Sequence, residues 1–516
     1  MRLSPTMCIL SASVVLSASA ALSDLQASEA VGPRALGMGG VGVACAEDYV
    51  AQYYNPAAFG FFGHQDAEGK RYAADNQDLA RKDWGMGFDV TATYIIAPSL
   101  GRYLNKVLDS DVSKLSTLGQ AGSDNAEILE DAVNTLAAVS EFNPEQDYVG
   151  ATADAGLGLR IGHFGLGARM SATATGAIRD LDTKNLGLAL GGFSSVAQAV
   201  GSIKSNLAAG YTPQTLTEAQ VQQLTTTLST DKNGNAVNPT DVTAAINNID
   251  NAVTTAGLSG SNVQSVVDQF GNLVNGSSAV STALLTDNTT NLRLVGLALA
   301  EIPVSYGVAL DEHWSIGGSL KYMLGRVYGS RIQLLDVKEQ NIERELNDAL
   351  DEYAQSSNFG VDIGIQGRFN MFQVGLTGRN LNGPSFDGPT ILGVEFEDIR
   401  VDPSVTAGVA FIPTSTVTLA ADLDLTQTQS VAEIYSTQFA GLGFEWNAFH
   451  FLALRAGVRK NIAESDSNVL YSAGLGMNLY VLRIDLAAQA SAELVEYDGD
   501  QVPQNGAVSL AIATDW

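Results

Sequence analysis

From residue 84 onward the chain alternates apolar and polar positions at a period of two, in short blocks. In the first block Met86, Phe88, Val90, Ala92 and Tyr94 share one parity, and Gly85, Gly87, Asp89, Thr91 and Thr93 share the other. Successive side chains of a strand point to opposite faces, so this reads as a β-strand with one apolar face. The same rhythm returns over 153–161 and 166–173, joined by the tight turn Gly162-His163. It continues in pairs: 302–310 with 314–324, 359–369 with 372–381, 405–411 with 417–425, 439–446 with 452–458, and 469–479 with 482–490. A last strand carries Val508, Leu510, Ile512 and Trp516 on one parity. The count is about fourteen, an even number of the kind bacterial single-chain barrels use.

The connections alternate between long and very short, as a meander through a membrane requires. Parity supplies a second test. Asp89, Asp154, Arg160, Arg169, Lys321, Asp362, Arg368, Arg379, Asp422, Asp424, Arg455, Arg459, Arg483 and Asp485 all fall on the polar parity of their strands. A charged side chain facing lipid at mid-depth costs about 2–4 kcal/mol, so these residues are expected to line a lumen. Most are expected to pair with one another, since buried ions are normally compensated. Asp422 and Asp424 are matched with Arg455 and Arg459, two strands away. The fold class is thus an all-β membrane protein: an antiparallel transmembrane barrel over 84–516 with large external insertions at 95–148, 178–291 and 328–357.

The insertions are not featureless. Apolar spacing predicts helices over 126–139, 216–228, 241–253, 263–274 and 341–353. The Thr-, Asn-, Gln- and Ser-rich middle of 178–291 is too long for a plain connection. Residues 1–20 read as a signal peptide: Arg2, an apolar core from Met7 to Leu16, then Ala18-Ser19-Ala20. With 28 basic against 56 acidic residues the formal charge is −28, which excludes a generic nucleic-acid binder. Cys8 leaves with the signal and Cys45 stands alone, so no intrachain disulfide is expected.

Between signal and first strand, in a lead-in over 21–83, lies a stretch that fits neither period. It runs from Gly32-Pro33-Arg34-Ala35-Leu36-Gly37-Met38-Gly39-Gly40 to Asn55-Pro56-Ala57. It is rich in Gly and Ala yet holds Tyr49, Tyr53, Tyr54, Phe59, Phe61 and Phe62. It reads as a compact irregular plug that needs a container. The Arg-Ala, Gly-Met-Gly-Gly, Glu47-Asp48 and Asn-Pro-Ala elements resemble the N-terminal segment of FadL-type outer-membrane transport proteins. They resemble still more the plasmid-transfer TraF-like barrel proteins related to them. The first resemblance implies that this segment is a hatch, with Arg34, Met38, Asn55 and Pro56 as its marker residues. It also implies passive uptake of a small hydrophobic or amphipathic solute of the fatty-acid or hydrocarbon class. The second implies an envelope component of conjugal transfer or secretion that acts through protein partners. Trp516 on an amphipathic last strand resembles the sorting signal of outer-membrane barrels, and the outer membrane of a Gram-negative-type bacterium, with its lipid and lipopolysaccharide, is the expected setting.

No catalytic, metal or cofactor site is expected. Gly37-Met38-Gly39-Gly40-Val41-Gly42 matches G-x-G-x-x-G but lacks the strand before and helix after it that a dinucleotide site needs. The four histidines, His64, His163, His313 and His450, are scattered, and Asp231–Asn235 does not complete a calcium loop. No G-x-S-x-G elbow is present, and a lipid-modifying barrel enzyme is the third reading. Candidate lumen or ligand residues are Asp154, Arg160, Arg169, Asp362, Arg368, Asp422, Asp424 and Arg455. Among them Arg160, Arg169 and Arg368 are the candidates for an acidic headgroup, because a guanidinium fork suits a carboxylate.

Overall fold

A computed structural model describes residues 30–62, 84–97, 148–179, 195–276 (except 204–206, 209, 232 and 233), 289–333 and 352–515 (except 392, 430–434, 450, 466, 480, 498 and 499). It also describes Asp182 and parts of a helix between 127 and 137. The expected signal peptide, His64, His450, Trp516 and all but the last two residues of the helix over 341–353 lie outside the described residues.

Fourteen antiparallel strands close into one barrel. They are β1 (Trp84–Ile96), β2 (Tyr148–Ile161), β3 (Phe164–Arg179), β4 (Asn291–Ala309), β5 (Trp314–Gln333), β6 (Tyr353–Phe369) and β7 (Phe372–Arg379). The second half is β8 (Ser404–Thr414), β9 (Val417–Asp424), β10 (Phe439–Ala448), β11 (Leu452–Asn461), β12 (Val469–Asn478), β13 (Leu482–Ser491) and β14 (Asn505–Asp515). Each pairs with its neighbour in sequence, and β14 pairs with β1, from Gly85 opposite Asp515 to Ile95 opposite Asn505. The wall is inside-out relative to a soluble sheet. Phe88 is 48% exposed on the outer face while its neighbour Asp89 is fully buried on the inner one. Met86, Leu157, Leu166, Val304, Leu320, Ile363, Leu442 and Leu486 continue the exposed apolar surface around the barrel. Only a hydrocarbon surround makes such a wall favourable, so the strands span a membrane.

The strands differ in length for a physical reason. β7 and β9 to β13 have 8 to 10 residues, but β4, β5 and β6 have 19, 20 and 17. The blocks expected at 302–310, 314–324 and 359–369 are each the part of a longer strand nearest the short turns. Farther along, both faces of the sheet are covered and the alternation fades. Leu297 and Leu299 on β4 and Met323 and Val327 on β5 pack inward against Phe386, Ile399 and Val401. Those three belong to the β7–β8 connection, whose two-residue strands Ser385–Phe386 and Ile399–Arg400 pair as a small hairpin. On the other side Ile178, Val149 and Leu292 pack into a separate apolar core.

That core belongs to the helical insertion between β3 and β4. Its helices are α1 (Val196–Gly201), α2 (Glu218–Leu228), α3 (Pro239–Thr255) and α4 (Ser261–Gly276). Thr217 and Gln220 form a capping box on α2, and Asn238 with Pro239 starts α3. Leu224, Ile249, Val253 and Val266 lie at the centre, and Leu129, Val133 and Ala137 of the β1–β2 connection join them. Asp250 is fully buried and accepts hydrogen bonds from Tyr211 Oη and the backbone N–H groups of Gln214, Thr215 and Leu216. The insertion is therefore a small helical domain seated on the long-connection rim of the barrel.

The plugged lumen and the cavity above it

Residues 30–62 fill the barrel at the end of the short turns. The segment folds as short helical turns, Gly32–Gly37, Asp48–Val50, Ala51–Tyr54 and Pro56–Phe61. None could stand alone, because helices of this length do not repay nucleation. The wall holds them. Tyr49 enters between Gly87 and Gly158, where a Cβ on either glycine would lie 2.1 or 2.3 Å from its ring. At Gly39 φ is +70° and a Cβ would stand 2.5 Å from the Val458 carbonyl oxygen, so the Met38–Gly40 turn meets the wall backbone to backbone. Asn55 is buried: its Oδ1 accepts from Ala57 N, and its Nδ2 donates to the carbonyls of Val43 and Ile365. Pro56 follows as the first residue of its turn. Ser315 Oγ donates to the Ala57 carbonyl, and His163 Nδ1 lies 3.0 Å from the Phe59 carbonyl, which fixes this part beside two short turns.

Charge fastens the rest. Arg34 forms a fork on Glu445, Nε to Oε2 at 3.0 Å and Nη2 to Oε1 at 2.9 Å, and gives Nη1 to the Cys45 carbonyl. Glu445 also accepts from Arg455, which bonds Asp485, which Arg483 bonds in turn. Arg483 reaches Asp48 of the plug at 3.0 Å, and Arg160 lies 4.0 Å from the same carboxylate. A belt of alternating charge thus passes twice through the plug. Asp422 Oδ2 accepts from the N–H groups of Gly42 and Val43. Arg169 binds Asp89 and Asp154 and lies over the Tyr53 ring. Lys321 binds Asp362 and Glu301. Met38 is fully buried against Val41, Ala410 and Ala420.

One expectation needs correcting. Arg455 does not pair with Asp422 or Asp424. Its partners are Asp485 on β13 and Glu445, the latter directly opposite it on the adjacent strand β10, which stands between Arg455 and the two aspartates. Asp424 instead accepts from Thr406 Oγ1 and Phe439 N. The three arginines considered for an acidic headgroup each lie against an aromatic ring of the plug. Arg160 lies over Phe62, Arg169 over Tyr53 and Arg368 over Phe61.

Open space lies on the other side of the plug. A cavity of ≈ 1050 Å³ reaches from Ala30 and Leu36 up to Ala97, Tyr148 and Tyr435 near the long connections. Its walls include Thr91, Thr93, Thr152, Thr173, Gln489 and Arg459. Of these, Arg459 was expected in the lumen as a charge, while Thr91 and Thr93 were read only as polar-parity positions of the first strand. The threonines lie on the lumen parity, and that is the signal that could have found them. The wall beside the plug also has a flaw. The β3–β4 ladder pairs Leu166 with Val304 and Arg169 with Glu301 but skips Gly167 and Ala168. Opposite them stands Pro303, which has no N–H to give. The buried amide of Gln52 faces Gly167 and has no hydrogen-bond partner among the described residues.

Solved structures similar to this chain include toluene transporters and a FadL homologue. The Pseudomonas putida toluene transporter TodX is 11% identical, with 95% of this chain and 99% of that one covered, at a TM-score of 0.42. The Ralstonia pickettii toluene transporter TbuX is 12% identical, with the same coverage and a TM-score of 0.42. A Pseudomonas aeruginosa FadL homologue is 9% identical, with 96% and 99% covered and a TM-score of 0.41. No curated protein matches by sequence. The model of the F plasmid transfer operon TraF protein family matches residues 118–424, from the β1–β2 connection through the helical domain to the end of β9. As that match spans more than half of the chain, the protein belongs to this TraF family.

Proposed function

We propose that the protein is an outer-membrane channel for passive uptake of a small amphipathic solute. The observation that carries this reading is the stacking of two elements in one lumen: a cavity open toward the long connections, and beneath it a plug held by ion pairs and not by covalent bonds. The solute enters from the helical-domain side and rests on Ala30 and Leu36. It passes when the plug yields on its β3–β4 side, where the ladder is interrupted and Gln52 is unanchored. Ion pairs suit a reversible closure, since each separated charge can be rehydrated in the opened lumen. Uptake of a labelled amphipathic solute into vesicles tests this. Saturable uptake that rises on deletion of residues 32–62 is expected. No uptake from either form, with both shown to be folded by heat-modifiable gel migration, would sink the channel reading.

A second reading is favoured by the family match and by the helical domain. Membership in a plasmid-transfer family, with a folded domain on the outer rim, suits an envelope component that binds protein partners. Deleting residues 195–276 distinguishes the two. A channel keeps its uptake without them, and a partner-binding component loses its role in transfer.

A further inference from the structure

We propose that the outward face of β5 and β6 clasps the phosphate of a membrane lipid in the leaflet on the long-connection side. This goes beyond the uptake reading and does not rest on it. Among the described residues, the outward positions of the fourteen strands carry charge only at Arg326 on β5 and Lys460 on β11. Both are cations, and both stand on the half of their strand nearer the long connections. An outward charge is costly at mid-depth in hydrocarbon and tolerated at headgroup depth. From the girdle residue Trp314 to Arg326, β5 climbs about 41 Å along its length, or about 31 Å normal to the membrane at a tilt of about 40°. The apolar band of such a barrel is about 25 Å tall, so Arg326 lies just beyond it, at the depth of lipid phosphates.

The surroundings of Arg326 suit an anion. Its Nε donates to Gln355 Oε1 at 2.8 Å, and its guanidinium lies 4.8 Å from the Tyr353 ring centroid. Tyr328 and Tyr353, opposite each other on the two strands, have ring centroids 5.3 Å apart. These neighbours hold the guanidinium in place and are uncharged, so its positive charge is left for a ligand. In the lumen, by contrast, Arg169 and Arg455 each meet two carboxylates. A guanidinium has five N–H donors in one plane and Nε supplies only one, so a phosphate can take others as a fork. Nearer the short turns the same face presents Leu320, Tyr322 and Phe359, each more than half exposed, to acyl chains. A cationic fork at headgroup depth above an apolar face describes a phosphorylated lipid. Lys460, six strands away, offers the same leaflet a point charge.

The test is native mass spectrometry of the full chain mixed with bisphosphorylated lipid A, with lipid A stripped of its phosphates, and with inorganic phosphate. Retention of bisphosphorylated lipid A is expected, weakened roughly tenfold or more in Arg326→Gln, as for loss of a charge-assisted bidentate pair. Arg326→Lys should fall between that variant and the parent, since it keeps the charge and loses the fork. Lys460→Gln should weaken retention less. Equal retention of lipid A with and without its phosphates would overturn the proposal, and this comparison uses the parent alone, so it holds even if Arg326→Gln fails to fold. Parental retention in a folded Arg326→Gln barrel would overturn it as well. Inorganic phosphate bound as tightly as the lipid would mark a free-anion site and overturn the lipid assignment. None of these outcomes bears on uptake, so the channel reading stands or falls by its own experiment.

Discussion

Replacing Glu445 by Gln should unfasten the plug without disturbing the wall. Glu445 is fully buried and accepts from Arg34 of the plug and Arg455 of β11. Gln keeps the volume but leaves two guanidiniums facing each other across a neutral amide. Removing one partner of a buried ion pair costs ~3–5 kcal/mol. The low end applies here, because Arg455 keeps Asp485 at 2.5 Å and Arg34 keeps Glu47 at 3.8 Å. The cost falls on the docked state, since an undocked Arg34 recovers water. At 1.36 kcal/mol per factor of ten, about 3 kcal/mol raises the undocked population roughly 100- to 200-fold. Single-channel recording in planar bilayers reads this as a matching rise in opening frequency, with deletion of residues 32–62 as the fully open reference. Parental opening frequency in a folded Glu445→Gln barrel would refute the view that this pair holds the plug.

Four further outcomes are expected. Gly39→Val sets a side chain against the Val458 and Leu442 carbonyls at a positive φ, so the Met38–Gly40 turn should lift and protease should cut within 30–62, where the parent resists. Asp250→Ala strips four donors of their acceptor and should destabilise the helical domain by about 3 kcal/mol or more, seen as loss of helical circular dichroism at lower temperature with the barrel's gel shift unchanged. The same contact, after burial, pushes the Tyr211 hydroxyl up to about 12, so Asp250→Ala should also bring its ionisation down in a spectrophotometric titration. In the β4–β5 turn the N–H groups of His313 and Trp314 hold the Asp311 carboxyl below its usual range. Its folded value is depressed, so the turn's stabilisation is full above the ordinary carboxylate pKa and fades as pH falls through the lowered one. Thermal gel-shift curves of the parent and Asp311→Asn should therefore differ at pH 7 and converge in strong acid.

The wall was legible because hydrocarbon imposes its demand on every outward position. Phe88, Leu157 and Ile363 could be read without knowing their neighbours. The upper parts of β4 to β6 were not legible, because Leu297 and Leu299 point inward to meet Phe386 and Ile399 from a distant loop, and alternation cannot report a cover that arrives from elsewhere. Arg34, Asn55 and Asp154 were identifiable as types, but their partners were not. Pairing two strands apart was expected for Arg455, whereas β10 brings Glu445 directly opposite it. Glu445 shares lumen parity with Gly441 and Gly443, so the signal was present and only the register was missing. The cavity was hidden for another reason. Threonine suits any strand, and only the closed ring shows Thr152 and Thr173 to be facing empty space.

The plug precedes every barrel strand in the chain, yet it is among the last parts to find its place. Its clasps reach across 411 residues to Glu445, 433 to Ser472 and 435 to Arg483. The final seam of the wall, β14 against β1, waits for the same late strands. Contacts so distant in sequence form slowly and together. A chain truncated before β10 can therefore neither complete the ring nor seat the stopper, so an unfinished molecule is an open sheet and never a leaking tube. Watertightness is in this sense a certificate of assembly, issued only when the C-terminal end has arrived.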